Sequence, residues 1–361
     1  MLTVTERGLY CAAGDFYIDP WRSVDRALIT HAHSDHARPG SRSYLCAEEG
    51  TGVLRLRLGA KTCIQGLHYG TTVLLNGVRV SFHPAGHVLG SAQIRLEHRD
   101  EVWVVSGDYK TEPDPTCSAF EPVRCEVFVT ESTFGLPIYR WPPAAKIFAE
   151  INDWWRGNQS EGRTSVLGGY SLGKAQRLMA GIDPHLGPLH VHAAILEFLP
   201  AYAAAGFRLP EAGLLTAESV RRAGGQALVI APPGSDQAGW LPRKSPASVA
   251  FASGWMLVRG ARRRPDSDRG FPVSDHADWP GLLATIRATG AGRILVTHGS
   301  TGPLVRWLNE NGWQAETLAT RFEGEAAETA ADPELEPAPS MSSASTALLD
   351  GPGSTEAAPP A

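Results

Sequence analysis

The sequence predicts a mixed α/β fold in two parts, and three changes of texture along the chain predict it. Up to about Gly135, apolar strands alternate with turns. Between about Pro137 and Pro272, helical stretches alternate with short apolar strands, the pattern of a parallel sheet covered by helices. A last helix–strand–helix run follows before the composition turns acidic. With 361 residues and 43% hydrophobic content, the chain can bury a large core and more than one domain.

The elements follow in order. Ala27-Leu28-Ile29-Thr30 is an apolar run that reads as a buried strand, and Glu48–Leu58 is the helical stretch of the first part. Val78–His83 and Gln93–Glu97 alternate apolar and polar side chains, the period of a half-buried strand. Glu101–Ser106 and Val127–Thr130 are apolar strands. The second part reads as helix Pro142–Trp155, strand Thr164–Leu167, helix Lys174–Ala180, strand His190-Val191 and helix Ala193–Ala205. Strands Ala227–Ile230 and Val249–Ala252 end it. Helix Trp279–Thr289, strand Arg293–Thr297 and helix Gly302–Asn311 come last. No internal repeat is present.

Net charge is −5, but it is unevenly spread. From Glu323 to Ala361 there are eight acidic residues and no Lys or Arg, which leaves 33 basic side chains against 30 acidic in the rest. Overall negative charge therefore does not argue against an anionic substrate. Residues 323–361, rich in Ala, Pro and Ser, read as a disordered acidic tail. Cys11, Cys46, Cys63, Cys117 and Cys125 form no C-x-x-C pair and suit reduced thiols in a cytoplasm. No apolar run approaches the roughly 20 residues of a membrane span, and the N-terminal residues lack the order of a signal peptide.

The chemistry concentrates in His31-Ala32-His33-Ser34-Asp35-His36. Three imidazoles and a carboxylate at a strand end offer the nitrogen and oxygen donors that Zn²⁺, or a metal of like preference, takes. His31 and His33 can serve one metal while Asp35 and His36 turn to a second. Three more strand ends carry candidate ligands: His87 in Pro84–Ser91, Asp108 in Ser106-Gly107-Asp108-Tyr109, and His298 in Val296-Thr297-His298-Gly299. Loops at strand ends are where a rigid sheet presents function.

H-x-H-x-D-H followed by the Gly-His of His87 and by Asp108 resembles the metallo-β-lactamase fold, an αββα sandwich. Thr130–Gly135 and Ser274-Asp275-His276-Ala277-Asp278 flank the helix–strand insert, and Thr297-His298-Gly299 follows. That order is similar to the β-CASP nucleases, in which a parallel α/β cap is inserted. The match runs from about Gly8 to Phe322. Gly8–Cys11, Asp19-Pro20, Tyr109–Pro113 and Phe134–Tyr139 are most similar to bacterial ligase-associated DNA exonucleases. The resemblance implies a first metallo-β-lactamase part at 1–137, a cap at 138–272, and the return of the first domain at 273–322.

It also implies roles. His31, His33, His87 and Asp108 would bind one divalent metal, and Asp35, His36, Asp108 and His298 the other. Zinc is expected, with manganese as the alternative. Asp19 would orient a ligand. Glu131 and His276 would supply a general acid, Glu131 favouring the imidazolium. Two metals about 3.5–4 Å apart can clamp an in-line displacement at phosphorus, with a metal-activated hydroxide as nucleophile and Asp35 among the catalytic groups.

Gly168–Ala175 matches two other motifs. As a P-loop it lacks the hydroxyl after Lys174, where Ala175 stands. As a G-x-S-x-G elbow around Ser171, with Asp236 and His298 following, it would leave the histidine motif unexplained. The preferred reading makes Ser171 and Lys174 a cradle for a backbone phosphate at a helix N-terminus. Arg262 and Arg263, within the cluster of Arg259, Arg262, Arg263 and Arg264, are expected to track phosphates. His190 and His192 have no acidic partner at the right offset and read as strand residues.

A metal-dependent DNA exonuclease acting in repair beside an ATP-dependent DNA ligase is the leading expectation, with DNA as partner and no membrane. The alternative is an RNA-processing nuclease of the same fold. His298 keeps that alternative open, because RNA-acting members carry His there and animal DNA-crosslink-repair members carry Val. A metal-free scaffold is disfavoured by intact ligands at every motif, and a small-substrate hydrolase by the insert.

Overall fold

Six short strands open the chain and form one sheet in sequence order: β1 (Leu2–Val4), β2 (Leu9–Cys11), β3 (Phe16–Ile18), β4 (Arg26–Leu28), β5 (Ser43–Ala47) and β6 (Ile64–Leu67). The coordinates are a computed structural model, and they describe residues 1–235, 246–258 and 268–322. Strands β1 to β3 pair antiparallel and β3 to β6 parallel, with α1 (Thr51–Leu58) returning the chain from β5 to β6. Strands β7 (Thr72–Leu75), β8 (Val78–Pro84), β9 (Ala92–His98), β10 (Glu101–Val105) and β11 (Val127–Ser132) begin a second sheet.

The chain then leaves through α2 (Ala144–Ser160) for a third sheet. This contains β12 (Thr164–Gly168), α3 (Lys174–Gly181), β13 (Leu189–Val191), α4 (Ala193–Leu196), α5 (Leu199–Ala204), β14 (Gly213–Leu214), α6 (Ala217–Ala223), β15 (Leu228–Ala231), β16 (Ala247–Ala252) and β17 (Arg269–Phe271). Its strands are all parallel, in the order β14-β13-β15-β12-β16-β17. Helix α7 (Trp279–Thr289), β18 (Arg293–Gly299), α8 (Thr301–Glu310) and β19 (Gln314–Thr317) complete the second sheet, in the order β19-β18-β11-β10-β9-β8-β7.

Alternation along the strands builds the layers. Trp103 and Val105 of β10 face the first sheet and share a core with Phe16, Ile18, Leu28, Val80, Phe82 and Ile94. Val104 between them points the other way, with Phe128 and Ile294, onto Leu282 and Ile286 of α7 and Leu304 and Leu308 of α8. The outer face of the first sheet packs Ala27, Tyr44 and Cys46 against Val53 and Leu54 of α1 and Tyr202 of α5. Two sheets thus lie face to face with helices outside both. Strand β11 is buried along its whole length, which is why it opens on the apolar run Val127-Phe128-Val129; its buried polar end, Thr130-Glu131-Ser132, faces the candidate site. The third sheet has its own core, where Leu167, Val191 and Ile230 meet Trp155 of α2 and Leu178 of α3.

Some elements depart from expectation. Helix α2 runs five residues past Trp155, because Asn158 is buried and donates to Ser165 Oγ at 2.9 Å. The stretch expected as one helix from Ala193 to Ala205 is two: Pro200 sits in the first turn of α5, where its missing N–H is tolerated, and the chain breaks ahead of it. The short elements β1, β2, β3, β5, β6, β7, β14, α6, β17 and β19 are not among those named from the sequence. No helix among the described residues is long and apolar enough to cross a membrane, and all five cysteines are free. Arg259, Arg262, Arg263, Arg264, Asp236 and the acidic tail lie outside the described residues.

Candidate active site

Strand ends bring the candidate groups together. After β4 the backbone turns once, with Ala37 N donating to His33 O at 2.8 Å, so that His31, His33 and His36 face one space. His87 follows β8, Asp108 follows β10, Glu131 lies in β11 and His298 in β18. Gly107 has φ +57°, and a Cβ there would stand 2.6 Å from Thr30 Cβ, so the turn into Asp108 has room only for glycine.

Asp108 is the hub. Its Oδ2 lies 3.6 Å from His31 Nε2, 3.7 Å from His36 Nε2 and 4.0 Å from His87 Nε2, and its Oδ1 lies 3.0 Å from His298 Nε2. His31 Nε2, His36 Nε2, His298 Nε2 and Asp108 Oδ1 are buried atoms without a hydrogen-bond partner of acceptable geometry. Unsatisfied buried polar atoms are costly, and four that converge mark a place built for a cation. His31, His33, His87 and Asp108 each offer a ligand atom, all within 4.8 Å of one another, so this set could hold a metal ion. Asp35 stands at the rim, its Oδ2 3.5 Å from His36 Nε2.

Neighbours fix how each ring points. Asp19 Oδ2 accepts from His36 Nδ1 at 2.8 Å and from the Thr30 hydroxyl at 2.5 Å, and its Oδ1 accepts from Thr30 N at 2.8 Å. That turns His36 Nε2 inward. His87 Nδ1 meets the Asp275 carbonyl at 2.8 Å and His33 Nε2 meets the Leu172 carbonyl at 3.2 Å, which leaves His87 Nε2 and His33 Nδ1 3.2 Å apart. His276 Nδ1 lies on the Glu131 carboxylate.

Electrostatics follow from burial and charge. Burial and the neighbouring imidazoles hold His31 and His87 well below their ordinary value. Burial would raise Asp108, but the charges of His36 and His298 hold it well below the carboxylate range. Burial would lower His36, yet Asp35, Asp108 and Asp19 raise it to about 10. The carboxylates that raise it are the negative charge a bound cation would neutralise. Burial opposes protonation of His276 too, but Glu131 raises it to about 10.

Of the expected phosphate contacts, one takes another place. Lys174 is fully buried and its Nζ donates to Asp275 Oδ1 at 2.6 Å and to the Val273 carbonyl at 3.2 Å, so it faces protein and not a phosphate. A Gly-rich turn opening a helix looks the same in sequence whether it faces an anion or a buried carboxylate. Ser171 is half-buried, and its carbonyl accepts from Gln176 Nε2 at 2.9 Å. His190 lies in β13 and His192 caps α4, accepting from Ala194 N. Sequence reasoning missed three participants: Asp275, the Leu172 carbonyl and Phe322. The Phe322 ring stacks on His36, centroids 4.5 Å apart at 12°, and meets His298 edge-on at 5.9 Å. Asp275 lay inside the Ser274–Asp278 motif; nothing in the sequence pointed to Phe322.

No protein-family model matches the chain. It is 31% identical over 310 residues to a protein named probable DNA ligase from Opitutus terrae, covering 85% of this chain and 30% of that protein. It is 31% identical over 129 residues to the endoribonuclease ysh-1 of Neurospora crassa, covering 34% of this chain and 15% of that protein. The chain thus spans less than a third of the length of these curated relatives. A crystal structure of a protein of unknown function from Enterococcus faecalis V583 superposes with a TM-score of 0.57 at 14% identity, covering 82% of this chain and 80% of that one. The chain therefore shares its α/β fold with a solved structure, and parts of it with proteins named for nucleic-acid chemistry.

Proposed function

We propose that the chain is a metal-dependent nuclease with the metallo-β-lactamase and β-CASP arrangement, a DNA exonuclease working beside a DNA ligase. The observation that carries this reading is the convergence of buried imidazole and carboxylate ligand atoms on Asp108 beside the Glu131–His276 pair. His31, His33, His87 and Asp108 would hold one divalent metal, and Asp35, His36, Asp108 and His298 a second, with zinc the best match to the imidazole–carboxylate donor set. When bound, the metals would supply Lewis acidity and charge neutralisation at phosphorus.

The chain's own residues do the rest. Asp19 keeps His36 turned inward, and the Asp275 carbonyl does the same for His87. Glu131 keeps His276 protonated, so that its ring can give a proton to the departing 3′ oxygen. Residues 138–272 are the cap over the phosphodiester, inserted between 1–137 and 273–322.

The likeness of most of this chain to under a third of a protein named probable DNA ligase supports the DNA reading and the partnership with ligation. The similarity to a protein named endoribonuclease supports RNA as the second reading, as does His298. The test is one matched assay on 5′- and 3′-labelled single-stranded DNA, duplex DNA and RNA, with Zn²⁺, Mn²⁺ or chelator. Metal-dependent shortening of DNA is expected. Cleavage of RNA with DNA left intact would reverse the substrate assignment.

A further inference from the structure

Helix α3 and the Gly-rich turn before it take no part in the chemistry above, yet they touch two candidate metal ligands directly and reach one of them again through Asp275. The Leu172 carbonyl meets His33 Nε2 at 3.2 Å. Lys174 holds the side chain of Asp275, whose own carbonyl meets His87 Nδ1 at 2.8 Å. Arg177 donates to the Ser274 carbonyl at 2.8 Å and to the His87 carbonyl at 3.2 Å, while its Nε pairs with Asp114. Gly173, at φ +85°, runs so close to the His87 loop that a Cβ would stand 2.3 Å from Val88 Cγ1.

Lys174, Arg177 and Asp275 are buried, and the Asp114 side chain is 6% exposed. Four charges taken out of water gain little stability from pairing, but removing one partner strands the other. Moving any of the segments it joins would strand a buried charge, so the network resists their rearrangement. Here it joins α3 to the backbone of Val273 and Ser274, just before His276, and to the backbone of His87. The two carbonyls at the outer ring nitrogens then leave His33 Nδ1 and His87 Nε2 as the inward lone pairs.

We infer that Lys174 and Arg177 are positioning residues that set the metal affinity of His33 and His87, so that the inserted lobe completes the metal centre. The inference rests on the reading of His33 and His87 as metal ligands.

The test uses the full chain. Zinc affinity is measured by competition with a chromophoric chelator, folding by circular dichroism and thermal unfolding of the metal-free protein, and ring protonation by ¹H–¹⁵N spectra of the histidines. Lys174→Met and Arg177→Met are each expected to weaken zinc binding about tenfold or more while the fold is kept. Lys174→Arg, which keeps the charge, should restore most of the loss. In the metal-loaded wild type, His33 should carry its proton on Nε2 and His87 on Nδ1. Folded Met variants that bind zinc as the wild type does would overturn the clamp alone. Reversed ring protonation in the wild type would do so without any variant having to fold. A wild type that binds no zinc would remove the metal reading itself, and the clamp with it.

Discussion

His276 Nδ1 lies 2.9 Å from Glu131 Oε2 and 3.0 Å from Oε1, across 145 residues of sequence. Glu131 is itself held, its Oε1 accepting from Tyr109 N at 2.8 Å, one residue beyond Asp108. The proposed acid and the hub of the metal cluster are therefore one hydrogen-bonded unit. Movement of the Asp108 turn would move both.

His276→Ala is expected to slow hydrolysis about 10²–10⁴-fold with metal content unchanged. Glu131→Gln should act through the same ring. Burial alone would depress His276, and it is the carboxylate that raises it to about 10. With Gln in its place, the proton should leave as pH rises through neutrality, and the alkaline limb of the pH–rate profile should move to lower pH. An alkaline limb that stays in place would separate Glu131 from proton transfer.

Asp19→Asn keeps the shape but loses the charge that grips His36 Nδ1 and the Thr30 hydroxyl. Metal affinity should fall about 10–100-fold, as for other residues that orient a ligand. Chelator competition measures it. Equal affinity in the variant would mean that His36 needs no such support.

The Arg177–Asp114 pair should make stability depend on pH. Burial would raise Asp114, but the guanidinium outweighs it and holds the carboxyl below its ordinary value. A depressed carboxylate stabilises the fold fully above its unfolded pKa, about 3.9, and the contribution fades as pH falls through that value and the lower folded one. Asp114→Asn should cost about 3 kcal/mol at neutral pH by leaving Arg177 uncompensated. The gap to wild type should close as pH falls below about 4. Denaturant unfolding at several pH values would show it, and a gap that widens in acid would contradict it.

Gly107→Ala should lose about 1–3 kcal/mol of stability, since the position combines φ +57° with contact at 2.6 Å to Thr30. Because Thr30 bonds Asp19, metal affinity should fall with it. Denaturation and chelator competition on the same sample would separate the two effects.

The strands and helices that pattern made legible are those with a buried face or a wholly buried apolar run. Helix α7 spans Trp279–Thr289, the bounds expected of it, and Asp278 caps it by accepting from Gly281 N. Short pieces such as β14, two residues long and exposed, carry no such pattern. The six-residue histidine motif was readable because so many donors in so short a span have few other uses. Lys174 was misread because burial depends on what packs over a turn, and its partner Asp275 lies 101 residues away. Backbone carbonyls such as that of Leu172 have no sequence signal at all.

The most direct measurement is the metal content of purified wild type and Asp108→Ala by elemental analysis after exhaustive dialysis, with phosphodiester hydrolysis followed on the same samples. Two equivalents of divalent metal per wild-type chain are predicted, with metal and hydrolysis both lost in Asp108→Ala. A wild type that hydrolyses nucleic acid with no bound metal, or an Asp108→Ala variant that keeps both metals and activity, would contradict the account.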